Sequence, residues 1–237
     1  MKKIEIFNGT GEDTGWLGNN QKWWFDSNYE NSFELFDLDS FYSYHYFKND
    51  HVLQSVVNNY VNFIKTIYKS ITQNELTTIL EAGCGGGWFT KGFLNQNIDI
   101  IAIEGSKCGY EASLRKNIPE SVLIHHDLRR EINLNKKFDI VLCTEVGEHI
   151  ETPFTSQLIK TLVNHSNLVW FSFEPPNTND AHLHHCNEMP EKFWINIFNF
   201  FNYGCFKLPK DVFEKCEGRG SHIFYNRDVF DINNILI

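Results

Sequence analysis

The chain has 237 residues, with 21 Lys and Arg against 30 Asp and Glu, a net charge of −9. Apolar residues make up 42% and charged residues 22%, a globular composition in a chain long enough to bury a core without disulfides or structural metals. The acidic balance argues against a broad nucleic-acid surface, no apolar run is long enough to span a bilayer, and MKKIEIFNGTGED is too polar for a secretory signal. Residues 1–50 are rich in aromatics, Asn and Asp without a sustained period, and read as an N-terminal arm. In that arm Trp16, Trp23, Trp24, Tyr42, Tyr44 and Tyr46 either glue it to the main domain or face a pocket as a lid. Residues 51–237 read as one domain. Apolar spacing of three and four predicts a helix from about Asp50 to Ser70. Strands are then predicted at Thr77–Ala82, Ile98–Ile103, Val122–His125, Phe138–Cys143, Leu168–Phe173, Gly204–Leu208 and His222–Tyr225. Helices are predicted from Trp88, over Tyr110–Lys116, Phe154–Asn164 and Pro190–Phe201. Strands alternating with helices imply an α/β fold, a mostly parallel sheet with helices on both faces. Its ligands are expected beyond the carboxyl ends of the strands, near the point where strand order reverses. The six cysteines, Cys84, Cys108, Cys143, Cys186, Cys205 and Cys216, form no CxxC pair and read as reduced, mostly buried thiols in a cytoplasmic setting.

The strongest signal is ILEAGCGGGWFT, Ile79 to Thr90, a buried strand running through an acidic residue into a glycine loop and then a helix. Glycines serve where the chain turns sharply and a ligand must touch bare backbone. The dinucleotide pattern GxGxxG fails at Trp88, and no GK[ST] follows, so neither a dinucleotide fingerprint nor a P-loop stands here. The second strand runs into Glu104, placed to accept two ribose hydroxyls. The third ends in HHDLRR, where Asp127 can accept an amine from an adenine edge. The fourth ends in LCTEVGEHI. In a helix there, Glu145, Glu148 and His149 would share one face, since residues three and four apart are neighbours. Further on, HLHHCNEMPEKFW carries His182, His184, His185 and Asn187 in a polar loop after the fifth strand. Carboxylates with imidazoles suit a divalent cation with oxygen and nitrogen ligands. The histidines His51, His125, His126, His165 and His222 read as structural.

In this ordered set of strand-end features the sequence resembles the class I S-adenosylmethionine-dependent methyltransferases, from about Ile71 to the C-terminus. The resemblance implies a Rossmann-like sheet of seven strands with a reversed last hairpin. It implies that Gly83, Cys84, Gly85 and Gly87 form the loop under S-adenosyl-L-methionine, with Glu81 near its amino acid end and Glu145 also beside it. Glu104 would bind the ribose, and Asp127 with Leu128 would bracket the adenine. Cys84 is an unusual but small member of the loop, and Trp88 is expected to start its helix on the core side. The E-x-x-E-H set with a downstream His is similar to the small-RNA 3′-terminal 2′-O-methyltransferases, which implies a metal (Mg or Mn) on Glu145, Glu148, His149 and His185. A second reading keeps the same residues without metal, with His149 or His185 as base. The HHCNEMPEKFWINIF stretch resembles methyltransferases that act on sugars.

Methyl transfer from a sulfonium is an in-line displacement, and a sugar hydroxyl needs a base or a metal to shed its proton. An imidazole, titrating near 6.5 when unperturbed, can serve at neutral pH. Charge separates the acceptors: the balance of −9 disfavours RNA and tolerates a sugar, nucleotide sugar or glycan. Arg129, Arg130, Lys207, Lys210 and Arg219 are candidate cations for a nucleotide sugar, or ordinary surface charges. The expected partners are therefore a small carbohydrate substrate and, as an open matter, a second copy of the chain, without membrane or nucleic acid. Transfer to an RNA ribose is the alternative, and a cofactor-binding module without catalysis is the alternative of another class.

Overall fold

The computed structural model describes residues 38–42, 47, 52–176, 185–207 and 222–231. Most of the arm, including Trp16, Trp23, Trp24, Tyr44 and Tyr46, lies outside them, as do His51, His182, His184, Leu208, Lys210, Cys216 and Arg219.

A seven-stranded sheet carries the fold: β1 (Thr78–Ala82), β2 (Asp99–Glu104), β3 (Leu123–His125), β4 (Ile140–Cys143), β5 (Leu168–Phe171), β6 (Tyr203–Lys207) and β7 (His222–Asn226), in spatial order 3-2-1-4-5-7-6. The pairs among β1 to β5 are parallel, and β7 runs antiparallel between β5 and β6. The helices are α1 (Leu38–Phe41), α2 (Gln54–Thr72), α3 (Trp88–Leu94), α4 (Lys107–Arg115), α5 (Thr155–His165) and α6 (Glu191–Phe200).

Period-two alternation sends side chains to two cores. Ile79, Ile140, Leu142, Leu168, Trp170, Ile223 and Tyr225 pack on one face with α2 and α3. Their neighbours Leu80, Val141, Cys143, Val169, Phe171 and Phe224 pack on the other with α5 and α6. Covering both faces is what lets the strands read as near-continuous apolar runs. On the second face Phe198 stacks on Phe224 at 3.7 Å between ring centroids, and emptying such a buried aromatic site costs about 3–5 kcal/mol.

Every strand falls within two residues of its expected bounds. Helix α4 begins three residues earlier than the pattern suggested, because Ser106 caps it: its hydroxyl accepts from Gly109 N at 2.9 Å. The larger correction lies after β4. The segment with Glu145, Glu148 and His149 is no α-helix: Glu145 takes a left-handed φ of 55°, and only Gly147–His149 forms a 3₁₀ turn. The connections after β1 and β4 leave towards opposite edges of the sheet, so the switch point lies between their carboxyl ends.

Candidate active site

The loop after β1 turns through three left-handed glycines, Gly83, Gly85 and Gly87, with φ of 83°, 54° and 76°. They differ in what surrounds them. A Cβ on Gly83 would lie 2.4 Å from Val146 Cγ2, and one on Gly87 2.4 Å from Ile118 Cδ1. At Gly85 the nearest atom is Phe47 Cε1 at 3.8 Å, so this glycine faces open space that a ligand can enter. Cys84 is buried, and burial pushes its thiol well above the ordinary range, so it packs rather than reacts. Trp88 packs towards the core as expected, with Lys116 Nζ 4.5 Å above its ring.

Glu104, at the tip of β2, holds this loop. One carboxylate oxygen accepts from Gly85 N at 2.8 Å, the other from Ser106 N at 2.8 Å. The approach is close enough that a Cβ on Gly109 would lie 2.9 Å from its carboxyl carbon. Nothing singled out Gly109 in the sequence. Glu81 is buried beside the loop and accepts from the Thr90 hydroxyl. Burial raises its carboxyl to about 7, the Thr90 hydrogen bond opposes this, and Glu104 adds to it.

On the adenine side the structure corrects one expectation and refines another. Leu128 is a core residue: its side chain packs with Leu80 and Ile103, leaving only its backbone for a ligand. Arg129 is no surface charge. Only 4% exposed, its Nε and Nη2 donate to Asp127 at 2.8–3.0 Å, and its Nη1 donates to Glu151 Oε1 at 2.9 Å. Asp127 thus shares its acceptor capacity with Arg129. His125, His126 and His165 are structural as expected, each engaging backbone carbonyls.

Beyond β4 and β5 a second group assembles. Glu148, His149 and His185 each offer a ligating atom, and these atoms lie within 4.8 Å of one another. Glu148 is fully buried and neither of its carboxylate oxygens has a hydrogen-bond partner. Burial first, and Glu145 next, push its carboxyl well above the usual range. His185 Nδ1 pairs with Glu188 at 2.9 Å, and the His149 and His185 rings meet edge-on at 4.9 Å. Tyr42 from the arm also lies edge-on to His149, with ring centroids 6.0 Å apart. Asn187 ties the two loops: Cys186 N and Asn187 N donate to Glu148 O, and Asn187 Nδ2 donates to Gly147 O at 3.2 Å. Glu145 is not a member of this ligating set, although its charge acts on Glu148. Its N–H donates to Ser172 Oγ at 2.9 Å, and Ser172 Oγ donates back to Glu145 Oε1 at 2.6 Å. Of the four residues expected to converge, three lie within ligating distance of one another.

Among the described residues, no helix is long and apolar enough to cross a membrane. A methyltransferase domain family model matches residues 51–201. The ubiquinone biosynthesis O-methyltransferase of Rickettsia canadensis is 27% identical over 173 residues, 68% of this chain and 67% of that protein. Counterparts from other Rickettsia species are matched over less than half of their own length. Among solved structures, the sugar N-methyltransferase KedS8 from Streptoalloteichus superposes with a TM-score of 0.60 at 12% identity, covering 78% of this chain and 93% of that one. The plantazolicin methyltransferase BpumL, in complex with SAH, gives 0.55 at 12% identity, covering 73% and 86%. At these identities the structural likeness is one of fold. The family match runs through the glycine loop and through the strand whose terminal carboxylate holds that loop in place, so the chain belongs to the methyltransferase domain family and is a class I S-adenosylmethionine-dependent methyltransferase.

Proposed function

We propose that this enzyme is an O-methyltransferase acting on an acceptor with neighbouring hydroxyls, a sugar or glycan, and that Glu148, His149 and His185 hold a divalent cation, Mg²⁺ or Mn²⁺. The Glu148 carboxylate carries the reading. Buried carboxylates are paired, neutral or metal-bound, and this one has no hydrogen-bond partner yet faces two imidazoles. A mixed oxygen and nitrogen donor set fits such an ion. When bound, the cation supplies Lewis acidity that eases loss of the hydroxyl proton. The chain's own residues do the rest. Glu188 accepts the Nδ1 proton of His185 and so leaves Nε2 as the donor atom. Asn187 holds the loops of Glu148 and His185 at one spacing. Gly85 opens the loop to the cofactor, Glu104 stands at the ribose end, Asp127 at the adenine and Glu81 at the amino acid end.

An acidic chain with a net charge of −9 suits an uncharged acceptor better than a nucleic acid. A second reading rests on the Rickettsia relatives, whose names specify ubiquinone biosynthesis and so favour an aromatic hydroxyl. The test is labelled-methyl transfer to sugars, nucleotide sugars, catechols and short RNAs, with chelator and with restored Mn²⁺ or Mg²⁺. The proposal expects sugar methylation that chelator abolishes and divalent ion restores. Methylation confined to catechols moves the acceptor to the second reading, and methylation confined to RNA ends moves it to a ribose. Activity untouched by chelator, with a loss of about 10²–10⁴ in His149→Ala or His185→Ala, replaces the cation with a histidine base. Cofactor binding without turnover on any acceptor overturns the enzymatic reading.

A further inference from the structure

Arg129 stands between the two halves of the site. Towards the cofactor side its Nε reaches Asp127 Oδ1 at 2.9 Å and Oδ2 at 3.0 Å, and its Nη2 reaches Oδ2 at 2.8 Å. Its backbone N–H donates to Asp127 Oδ1 at 3.0 Å as well, closing a tight local turn. Towards the acceptor side Nη1 reaches Glu151 Oε1 at 2.9 Å. Glu151 follows the 3₁₀ turn that carries Glu148 and His149. The next residue continues the connection: Thr152 Oγ1 donates to Asn187 Oδ1 at 2.9 Å, and Cys186 N and Asn187 N donate to Glu148 O at 2.8 and 2.9 Å. A polar chain thus runs from the adenine-side carboxylate to the loop of His185.

The sharing is uneven. Three side-chain contacts go to Asp127 and one to Glu151, whose Oε2 is buried with no hydrogen-bond partner. A planar guanidinium has five donors in a fixed fork, so a small rotation exchanges one carboxylate's bonds for the other's. Buried charges of this kind are held in place by their partners, and a change at one partner is felt at the other.

We propose that Arg129 is a positioning residue that couples cofactor binding to the order of the Glu148–His149–His185 loops. When an adenine amine takes part of the acceptor capacity of Asp127, the guanidinium gives an N–H to Glu151 Oε2. That second bond fixes the 147–152 segment and, through Asn187, the loop of His185. No bond beyond hydrogen bonds forms or breaks, and no proton changes owner. The proposal rests on the reading of Asp127 as the adenine-side residue. It does not depend on whether a cation or a histidine base completes the site.

Amide hydrogen exchange with and without SAH tests it, read on peptides covering 147–152 and 185–190, with SAH affinity measured in parallel by calorimetry. In the unaltered protein, saturating SAH should slow exchange of both peptides about 5–150-fold, the usual size of coupling between sites. Glu151→Gln keeps the Asp127–Arg129 pair, so SAH affinity should stay within about threefold while the slowing falls towards unity. Arg129→Gln should lose both affinity and slowing at saturation, and Arg129→Lys, which keeps the charge without the fork, should recover affinity but little of the slowing. A purely structural arginine would raise exchange equally with and without SAH, leaving the ratio intact in all three variants, and that result overturns the proposal. Tight SAH binding to the unaltered protein without any slowing overturns it also. Absence of SAH binding to the unaltered protein sinks the cofactor assignment and the coupling together.

Discussion

Replacing Glu81 by Gln should stabilise the fold at neutral pH and weaken the cofactor's hold. Burial raises the Glu81 carboxyl from 4.5 to about 7. At about 1.36 kcal/mol per pH unit, that rise is worth about 3 kcal/mol. Below pH 4.5 the group is protonated in folded and unfolded chains alike. Between 4.5 and about 7 the unfolded chain loses the proton while the folded chain keeps it. The unfolded state then binds fewer protons, so stability falls as pH rises, and the loss is complete above about 7. Gln keeps an acceptor for the Thr90 hydroxyl and has nothing to ionise. Urea unfolding at pH 5, 6, 7 and 8 should therefore show a stability advantage for Glu81→Gln that grows from about 0.8 to about 3 kcal/mol. The cofactor brings the opposite requirement. If its ammonium group sits beside Glu81, binding favours the carboxylate, so SAH affinity should rise with pH in the unaltered protein and lose that rise in the variant. A stability difference that stays flat across this pH range would refute the reasoning, because it would mean that Glu81 is not held protonated by burial.

The glycines offer a sharper contrast than the motif alone suggests. Gly85→Val should abolish SAH binding at a folding cost of about 1–2 kcal/mol from its left-handed φ, since the space around it is open. Gly87→Ala should act the other way round, lowering the melting temperature first, because its Cβ would collide with Ile118 and Ser113. Gly109→Ala sits in helix α4, where alanine gains up to about 1 kcal/mol in helix propensity, yet its Cβ would displace the Glu104 carboxyl. Its thermal stability should change little while SAH binding, read by calorimetry, weakens by about 1–2 kcal/mol through the lost hydrogen bonds of Glu104. Unchanged SAH affinity in Gly109→Ala would show that Glu104 tolerates displacement.

The strands were legible because burial on both faces leaves a mark that needs no context: IVLC and LVWF can hardly be anything else between polar turns. The cofactor loop was legible because four glycines within five positions after a buried strand mark a sharp turn open to a ligand. Arg129 was not legible. Nothing in HHDLRR distinguishes its first arginine from its second, and the partner that buries it, Glu151, is 22 residues away in sequence. The burial of the Leu128 side chain was hidden as well, since nothing in HHDLRR shows which side of that apolar residue meets the core. The burial of Glu148 was equally hidden, since E-x-x-E-H reads as one shared helical face whatever covers it.

Gly147 held the signal that would have corrected that reading. A glycine in the middle of a proposed helix disfavours it, and here a Cβ would lie 2.8 Å from Phe171 and 2.9 Å from Trp194. The chain passes close over these rings, which leaves no room for a side chain at this position. It enters that passage through Glu145, in a left-handed conformation costing about 1–2 kcal/mol for a residue with a side chain. The other described non-glycine residues with positive φ, Gln73, Asn97, Asn117, Asn135 and Asn202, all precede strands, whereas Glu145 follows one, at the edge where ligands bind. Ser172 maintains it there, accepting the Glu145 N–H and donating to its carboxylate. In the 3₁₀ turn that follows, successive side chains diverge by about 120°, so Glu148 and His149 cannot enclose a point by themselves. His185, brought in from the loop after β5 and held by Glu188, closes the third side.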